Sequence, residues 1–307
     1  MPTWALYTVT VLVWGVSWHV MLYQTVVAVE LSIAYRFMLA AALMIGFCVA
    51  TKRSFRFSLR DYGLMGLLGL FLFSTNYILF YYALPYLVTG LLAVVFSLIT
   101  VMNLVNSAIL FGQKIELRVA VAAAFGLVGL ALTFWPDEHE VKQGLMLGLG
   151  LAVLGTLSAS FGNMASIGLG RRGVGVVESN TVGMTVGGII SFAFAMFNGA
   201  PLIYNPAPSY TISLLFLALF ATVIGFGCFL TLARRIGAAR AAYSSVLFPV
   251  VALALSAWVE DYRPPVEAIL GMALILVGNV FALWRRNPPK AAGPAAETPA
   301  VPRSAAE

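Results

Sequence analysis

The chain has 307 residues, 61% of them hydrophobic and 10% charged, with a formal net charge of +6. That leaves too little polar surface for a soluble globule, whose charged share is normally about 25%, and the chain reads as an all-α integral membrane protein. Its basic residues are scattered over short links, which excludes nucleic acid as a partner; with two His residues and no acid in mid-span, no constellation for an enzyme, a metal or a cofactor can be assembled.

In chain order, apolar stretches run from Trp4 to Tyr23, Leu31 to Thr51, Tyr62 to Leu84, Leu87 to Phe111, Arg118 to Trp135, Gly144 to Gly170, Glu178 to Gly199, Tyr210 to Ala233, Ala239 to Val259 and Val266 to Trp284. Each matches the length of about 20 residues that spans a bilayer as a helix. The lack of two-residue alternation favours a helical bundle over a barrel. The first stretch has neither a basic leader nor a small-residue cleavage site and is read as a retained helix. Cys48 and Cys228 fall inside spans and are expected to pack as apolar side chains. Residues 287–307, rich in Pro and Ala, cannot bury a core and are read as a disordered tail.

The links alternate in charge. One side receives Lys52, Arg53, Arg56, Arg60, Lys114, Arg118, Arg171, Arg172, Arg234, Arg235, Arg240, Arg285, Arg286, Lys290 and Arg303; the other receives Lys142 and Arg263, together with the acids Glu30, Asp137, Glu138, Glu140, Glu260 and Asp261. The positive-inside rule then makes the first side cytoplasmic, with both termini inside a multi-pass protein of the cell (inner) membrane.

Lipid-facing surfaces favour Leu, Val, Ile and Phe, so polar groups in mid-span point to the bundle interior or to a wet path. Span 1 carries Trp14, Ser17, Trp18 and His19; span 2, Arg36; span 3, Asn76, Tyr77, Phe80 and Tyr81; span 4, Ser97, Thr100, Asn103, Asn106 and Ser107; span 6, Ser158, Ser160, Phe161 and Asn163; span 8, Thr222, Phe226 and Thr231; span 9, Tyr243, Ser244 and Ser245. Rings supply apolar area while amides and hydroxyls hold a polar end, which suits a small-molecule site. Each group also has a plainer reading: interfacial belt for the Trp and Tyr residues, interhelical bonding for the Asn residues, an ordinary hydrogen bond for His19. Arg36, about 9 Å beyond Glu30 by helix rise, either attracts a solute carboxylate or pairs with carbonyls or an acid. Pro249 lies inside span 9, where it removes a backbone bond, and is the hinge candidate.

The spans divide at the acidic link after Pro136 into two sets of five, residues 1–136 and 137–286. Gly129 and Trp135 match Gly278 and Trp284 at one constant offset, Ala83 matches Ala233 after a single-residue gap, and Glu30 pairs with Glu178 at the entrances to spans 2 and 7. Because five is odd, the second set enters from the opposite side, giving ten transmembrane helices as two inverted-topology repeats.

These residues resemble the EamA family of drug and metabolite transporters over roughly residues 4 to 286. The resemblance rests on Trp14, Gly15 and Ser17, on Arg36 with Phe37, on Ala83 and Leu84 with Thr89 to Ala93, and most of all on Ala238 to Ala242, Tyr243, Ser244, Ser245, Phe248 and Pro249, followed by Glu260, Gly271 and Gly278. Ile99 and Thr100 stand where a proline like Pro249 is expected, and Gly112 with Gln113 where Gly-Glu is common. The resemblance implies a cavity lined by spans 1, 3, 4, 6, 8 and 9, and the abundance of aromatics is similar to the YddG-type branch of aromatic amino acid exporters. Lacking a mid-span carboxylate, the carrier is expected to work without proton coupling, His19 being the one other group that could carry a proton; an exporter of cationic drugs or other metabolites of the same superfamily, or a channel-like pore, is the alternative. A small solute and the bilayer are the expected partners. The chain reads as a monomer, although Gly and Ala on spans 5 and 10 permit close helix contacts within one chain or between two.

Overall fold

A computed structural model describes residues 1–112, 117–134, 144–236, 241 and 243–283. The expectations placed on Gln113, Lys114, Trp135 to Gln143, Ala238 to Arg240, Ala242 and the stretch from Trp284 onward lie outside the described residues. The described chain is helical throughout, with no strand. We number the helices α1 (Thr3–Val20, continued by a 3-10 turn over Met21–Gln24), α2 (Val29–Ala50), α3 (Leu59–Ala83), α4 (Thr89–Phe111), α5 (Leu117–Thr133), α6 (Leu145–Arg171), α7 (Val176–Phe197), α8 (208–236), α9 (Ser244–Val259) and α10 (Val266–Leu283). Among the described residues, eight of these are long and apolar enough to cross a membrane, and α5 and α9 are shorter apolar helices.

Small residues set the closest contacts. A Cβ on Gly129 in α5 would come within 2.7 Å of the Gly271 carbonyl oxygen in α10, and one on Gly187 in α7 within 2.9 Å of the Gly69 carbonyl in α3. Helices that cannot gain from the hydrophobic effect in lipid pack instead through such backbone approach. The main seams are α2 with α7, α3 with α7, α5 with α10, α1 with α9 and α8, and α6 with α3 and α4. Large apolar side chains such as Trp4, Ile109, Leu127, Leu154, Ile189 and Trp258 are exposed around the outside.

Polar contacts show which helix ends lie together. Arg235 of α8 donates to the Met1 carbonyl at 2.6 Å, Arg53 after α2 pairs with Glu178 of α7 at 2.9 Å, and Arg172 after α6 pairs with Asp61 of α3. At the opposite face Glu30 of α2 accepts from Tyr82 at the end of α3 and from Asn198 after α7, and Gln24 beyond α1 donates to the Tyr210 carbonyl of α8 at 3.0 Å. Helices α1, α2 and α3, and likewise α6, α7 and α8, therefore alternate in direction.

Among the described residues, three local irregularities interrupt the rods. α3 contains a π-helical turn at Phe71–Thr75, and α8 a longer one at Phe216–Ile224. Each takes a hydrogen bond from another helix: the Phe71 carbonyl accepts from Ser158 Oγ of α6 at 2.8 Å, and the Ala221 carbonyl from Trp14 Nε1 of α1 at 3.1 Å. The third break is at Leu98 in α4, where the N–H of Leu98 turns to the Val95 carbonyl, three residues back. This span was the one expected to lack a proline kink. Here the turn is tightened by Ser97, whose hydroxyl donates to the Val94 carbonyl at 2.7 Å and accepts from Asn279 of α10 at 3.0 Å. α9, which does contain Pro249, runs unbroken.

Candidate functional site

A cavity of about 460 Å³ lies between the helices, lined from α1, α2, α3, α4, α6, α8, α9 and the end of α10. Helical spacing explains the lining. Trp14, Trp18 and Met21 share one face of α1 and its following turn; Leu72, Asn76 and Phe80 share one face of α3; Phe96, Thr100, Asn103 and Ser107 form a continuous stripe on α4.

Two groups of rings shape it. Trp18, Phe80 and Phe96 form a triangle, with centroid distances of 5.0 Å from Trp18 to Phe80 and 5.5 Å for each of the other two pairs. Trp18 belongs to the last turn of α1 and Phe80 to the last turn of α3, so the triangle stands in the half of the cavity wall toward the face opposite Met1. The second group centres on Trp14, whose ring lies 5.4 Å from Phe226, 5.2 Å from Phe229 and 6.5 Å from Phe248. Edge-on contacts like these fix ring orientation beyond simple area burial.

Between the rings stand neutral polar groups. Asn163 donates to the Asn103 side-chain oxygen at 3.4 Å, Thr100 and Ser245 share a hydroxyl contact at 3.2 Å, and Asn76 donates to the Gly155 carbonyl at 3.2 Å. Ser17, Ser107, Ser166 and Ser244 complete the polar lining. One cation, Arg36, reaches the wall, and no acid lines it among the described residues. Its guanidinium donates through Nε and Nη2 to the Thr222 hydroxyl, each at 3.3 Å, and through Nη2 to the Tyr77 hydroxyl at 3.5 Å. The Thr222 hydroxyl in turn donates to the Leu217 carbonyl five residues back, a bond that only the π-helical turn of α8 brings into reach.

Of the residues singled out from the sequence, the cavity wall gathers Trp14, Trp18, Arg36, Asn76, Tyr77, Phe80, Asn103, Asn163, Ser244 and Ser245. His19 stands away from it, 3.6 Å from Glu260. Tyr81 is buried beside Arg36, and Phe161 is on the α6 surface against Phe71. Tyr243 precedes α9 and Pro249 is buried within it. Phe96, Phe229 and Met21 escaped sequence reasoning because single apolar side chains in an apolar run carry no signal of their own. Their spacing from Thr100, Trp14 and Trp18 would have found Phe96 and Met21.

A polar cluster joins α4 to α9 at the face opposite Met1. Val88 precedes α4 and cannot cap it with its side chain, so the Thr89 N–H is met from α9 instead: Glu260 accepts it at 3.2 Å, and also accepts the Thr89 and Ser256 hydroxyls. Burial pushes the Glu260 carboxyl up, but the hydrogen bonds from Ser256 and Thr89, with His19 nearby, outweigh it and hold the group below its ordinary value.

The family model described as the EamA-like transporter family matches residues 3–135 and again 146–284. The chain belongs to this family. It is a multi-pass membrane protein of a family of transporters. Among its relatives, Protein PagO of Salmonella typhimurium is 23% identical over 291 residues, covering 92% of this chain and 93% of that one. A probable amino-acid metabolite efflux pump of Escherichia coli is 28% identical over 208 residues, covering 64% of this chain and 69% of the pump. A solved crystal structure superposes with a TM-score of 0.65 at 18% identity, covering 91% of this chain and 95% of that chain, and shows a shared fold.

Proposed function

We propose that this chain is an inner-membrane carrier that exports small metabolites, chiefly amino acids with a preference for aromatic ones, by exposing one central cavity to each side in turn. The observation that carries this reading is the cavity itself: two groups of rings enclose a space of about 460 Å³ in which amides and hydroxyls are interleaved with aromatic faces. That volume suits a single small solute. The name of the Escherichia coli relative, a probable amino-acid metabolite efflux pump, is in keeping with it.

Alternating access is supported by a two-fold pattern of contacts, the expected trace of ten helices arranged as inverted repeats of residues 1–136 and 137–286. α2 packs on its counterpart α7 and α5 on α10; α1 packs on α8 and α9 as α6 packs on α3 and α4. The π-helical turns fall in the counterparts α3 and α8, each bonded by the first helix of the other set. Arg53, Arg171, Arg172 and Arg235 share the face of Met1, which supports a cytoplasmic N-terminus. Transport is uncoupled in this reading, since the acids of the described spans sit at helix ends and away from the cavity.

Counterflow in proteoliposomes tests it. Phe, Trp and Tyr are expected to exchange faster than small neutral amino acids, nucleosides or lipophilic cations. Trp18→Ala and Tyr77→Ala are each expected to lower that exchange by about tenfold, as loss of a ring contact worth about 1.4 kcal/mol would. Unchanged exchange in both variants removes the site; acceleration by an imposed pH gradient removes the uncoupled mechanism; ohmic single-channel currents replace the carrier with a pore.

A further inference from the structure

Arg36 is the anomaly of the cavity. It lies seven residues into α2, about 10 Å from the end of that helix by helix rise, and only 4% of it is exposed. A charge at such depth must be paired, reach an interface or meet water. Among the described residues, no carboxylate stands within 4.0 Å of it. Its hydrogen bonds go to neutral hydroxyls, those of Thr222 and Tyr77, and the Tyr81 hydroxyl is also beside it.

The surroundings hold the group in place without neutralising it. Its Cζ lies 4.6 Å from the centre of the Tyr77 ring and 5.2 Å from that of Phe37, close enough for cation–π attraction on both. The π-helical turn of α8 sets the Thr222 hydroxyl under its edge. A guanidinium immobilised this way, in a wall made mostly of apolar atoms, exerts a field that water screens weakly. Planar paired donors match a carboxylate, and a like-charged ammonium is repelled. Among the described residues, the wall carries no acid that would offset this by welcoming a cation.

We infer that the cavity selects its solute by the carboxylate, that Arg36 is the residue reading it, and that an α-amino group is dispensable. The solute class is then a small carboxylic acid with an apolar side chain, whether or not it also bears an amine; lipophilic amines are excluded. The inference rests on the cavity being the transport site and is otherwise independent of any aromatic preference.

Two matched series separate the two readings. The aromatic series is L-phenylalanine, 3-phenylpropionate, 3-phenylpropionamide and 2-phenylethylamine; the aliphatic series is L-leucine, 4-methylpentanoate, its amide and isopentylamine. Binding to the purified full chain in detergent is followed by the shift in thermal unfolding midpoint. In wild type the two acids of each series are expected to bind alike and about tenfold more tightly than the amide, the range of a charge-assisted bond, with the amine weakest. Arg36→Gln is expected to bring the acid-to-amide ratio to about one and to admit the amine. Arg36→Lys keeps the charge but not the paired geometry, and is expected to retain part of the ratio. If Arg36→Gln does not fold, the wild-type ratio and its fall in Arg36→Lys decide the matter. A wild-type ratio near one, binding by neither acid, or a ratio unmoved in the variants overturns the inference. Aromatic members binding better than aliphatic ones with no effect of Arg36 would overturn it and leave the aromatic reading standing. An Arg36-dependent ratio in both series, with the aromatic acids binding no more tightly than the aliphatic ones, would support it while removing the aromatic preference.

Discussion

The two faces of the bundle are joined by different chemistry. At the face of Met1, acids meet arginines: Glu178 with Arg53 and Asp61 with Arg172. At the opposite face, Glu30 and Glu260 are held mainly by neutral donors, the Tyr82 hydroxyl and Asn198 amide for one, Thr89 and Ser256 for the other, with His19 close by. Ion pairs between partly exposed side chains contribute little and are weakened by salt, whereas a buried acceptor that loses several donors leaves all of them unsatisfied. The two closures should therefore differ in strength and in what loosens them.

Glu260→Ala sharpens the contrast most. It strips the cap from α4 and leaves the Thr89 N–H and two hydroxyls without their acceptor, at a cost of about 2 to 3 kcal/mol, read as a lower thermal unfolding midpoint. The pH dependence follows from the same bonds. Because the folded carboxyl titrates below its ordinary value, its contribution is full above the unfolded pKa of about 4.3 and is lost as pH falls through the lower folded value. Acid should thus destabilise wild type more than Glu260→Gln, and equal acid sensitivity in the two would contradict the capping role. Tyr82→Phe should follow, at about 1 kcal/mol for one hydrogen bond to Glu30. Arg172→Ala should give the smallest effect, and one that fades at 1 M salt, where charges are screened over about 3 Å. A salt-independent loss in Arg172→Ala larger than that in Glu260→Ala would break the comparison.

Much of this arrangement is legible in the sequence, for physical reasons that can be named. Apolar length and the charge of the links mark the spans, and mid-span polar groups such as Asn76, Asn103 and Asn163 point to the cavity wall on which the structure places them. The π-helical turns are not legible, because Phe71–Thr75 and Phe216–Ile224 read as ordinary apolar helix and their geometry depends on bonds from Ser158 and Trp14 on distant spans. The break at Leu98 is hidden for the same reason, since Ser97 and Asn279 replace the proline that would have announced it. Arg36 admits opposite readings from the sequence, because its partners Tyr77 and Thr222 lie on distant spans.

The central claim, that one cavity faces each side in turn, is tested most directly by labelling Thr100→Cys. Thr100 stands midway along α4 in the cavity wall, which neither natural cysteine, Cys48 or Cys228, lines. In oriented membranes, a membrane-impermeant maleimide should modify this cysteine from either side, more slowly when a transported solute is present, while the membrane stays electrically tight. Labelling confined to one side under all conditions, or labelling from both sides accompanied by ionic current, would contradict the account.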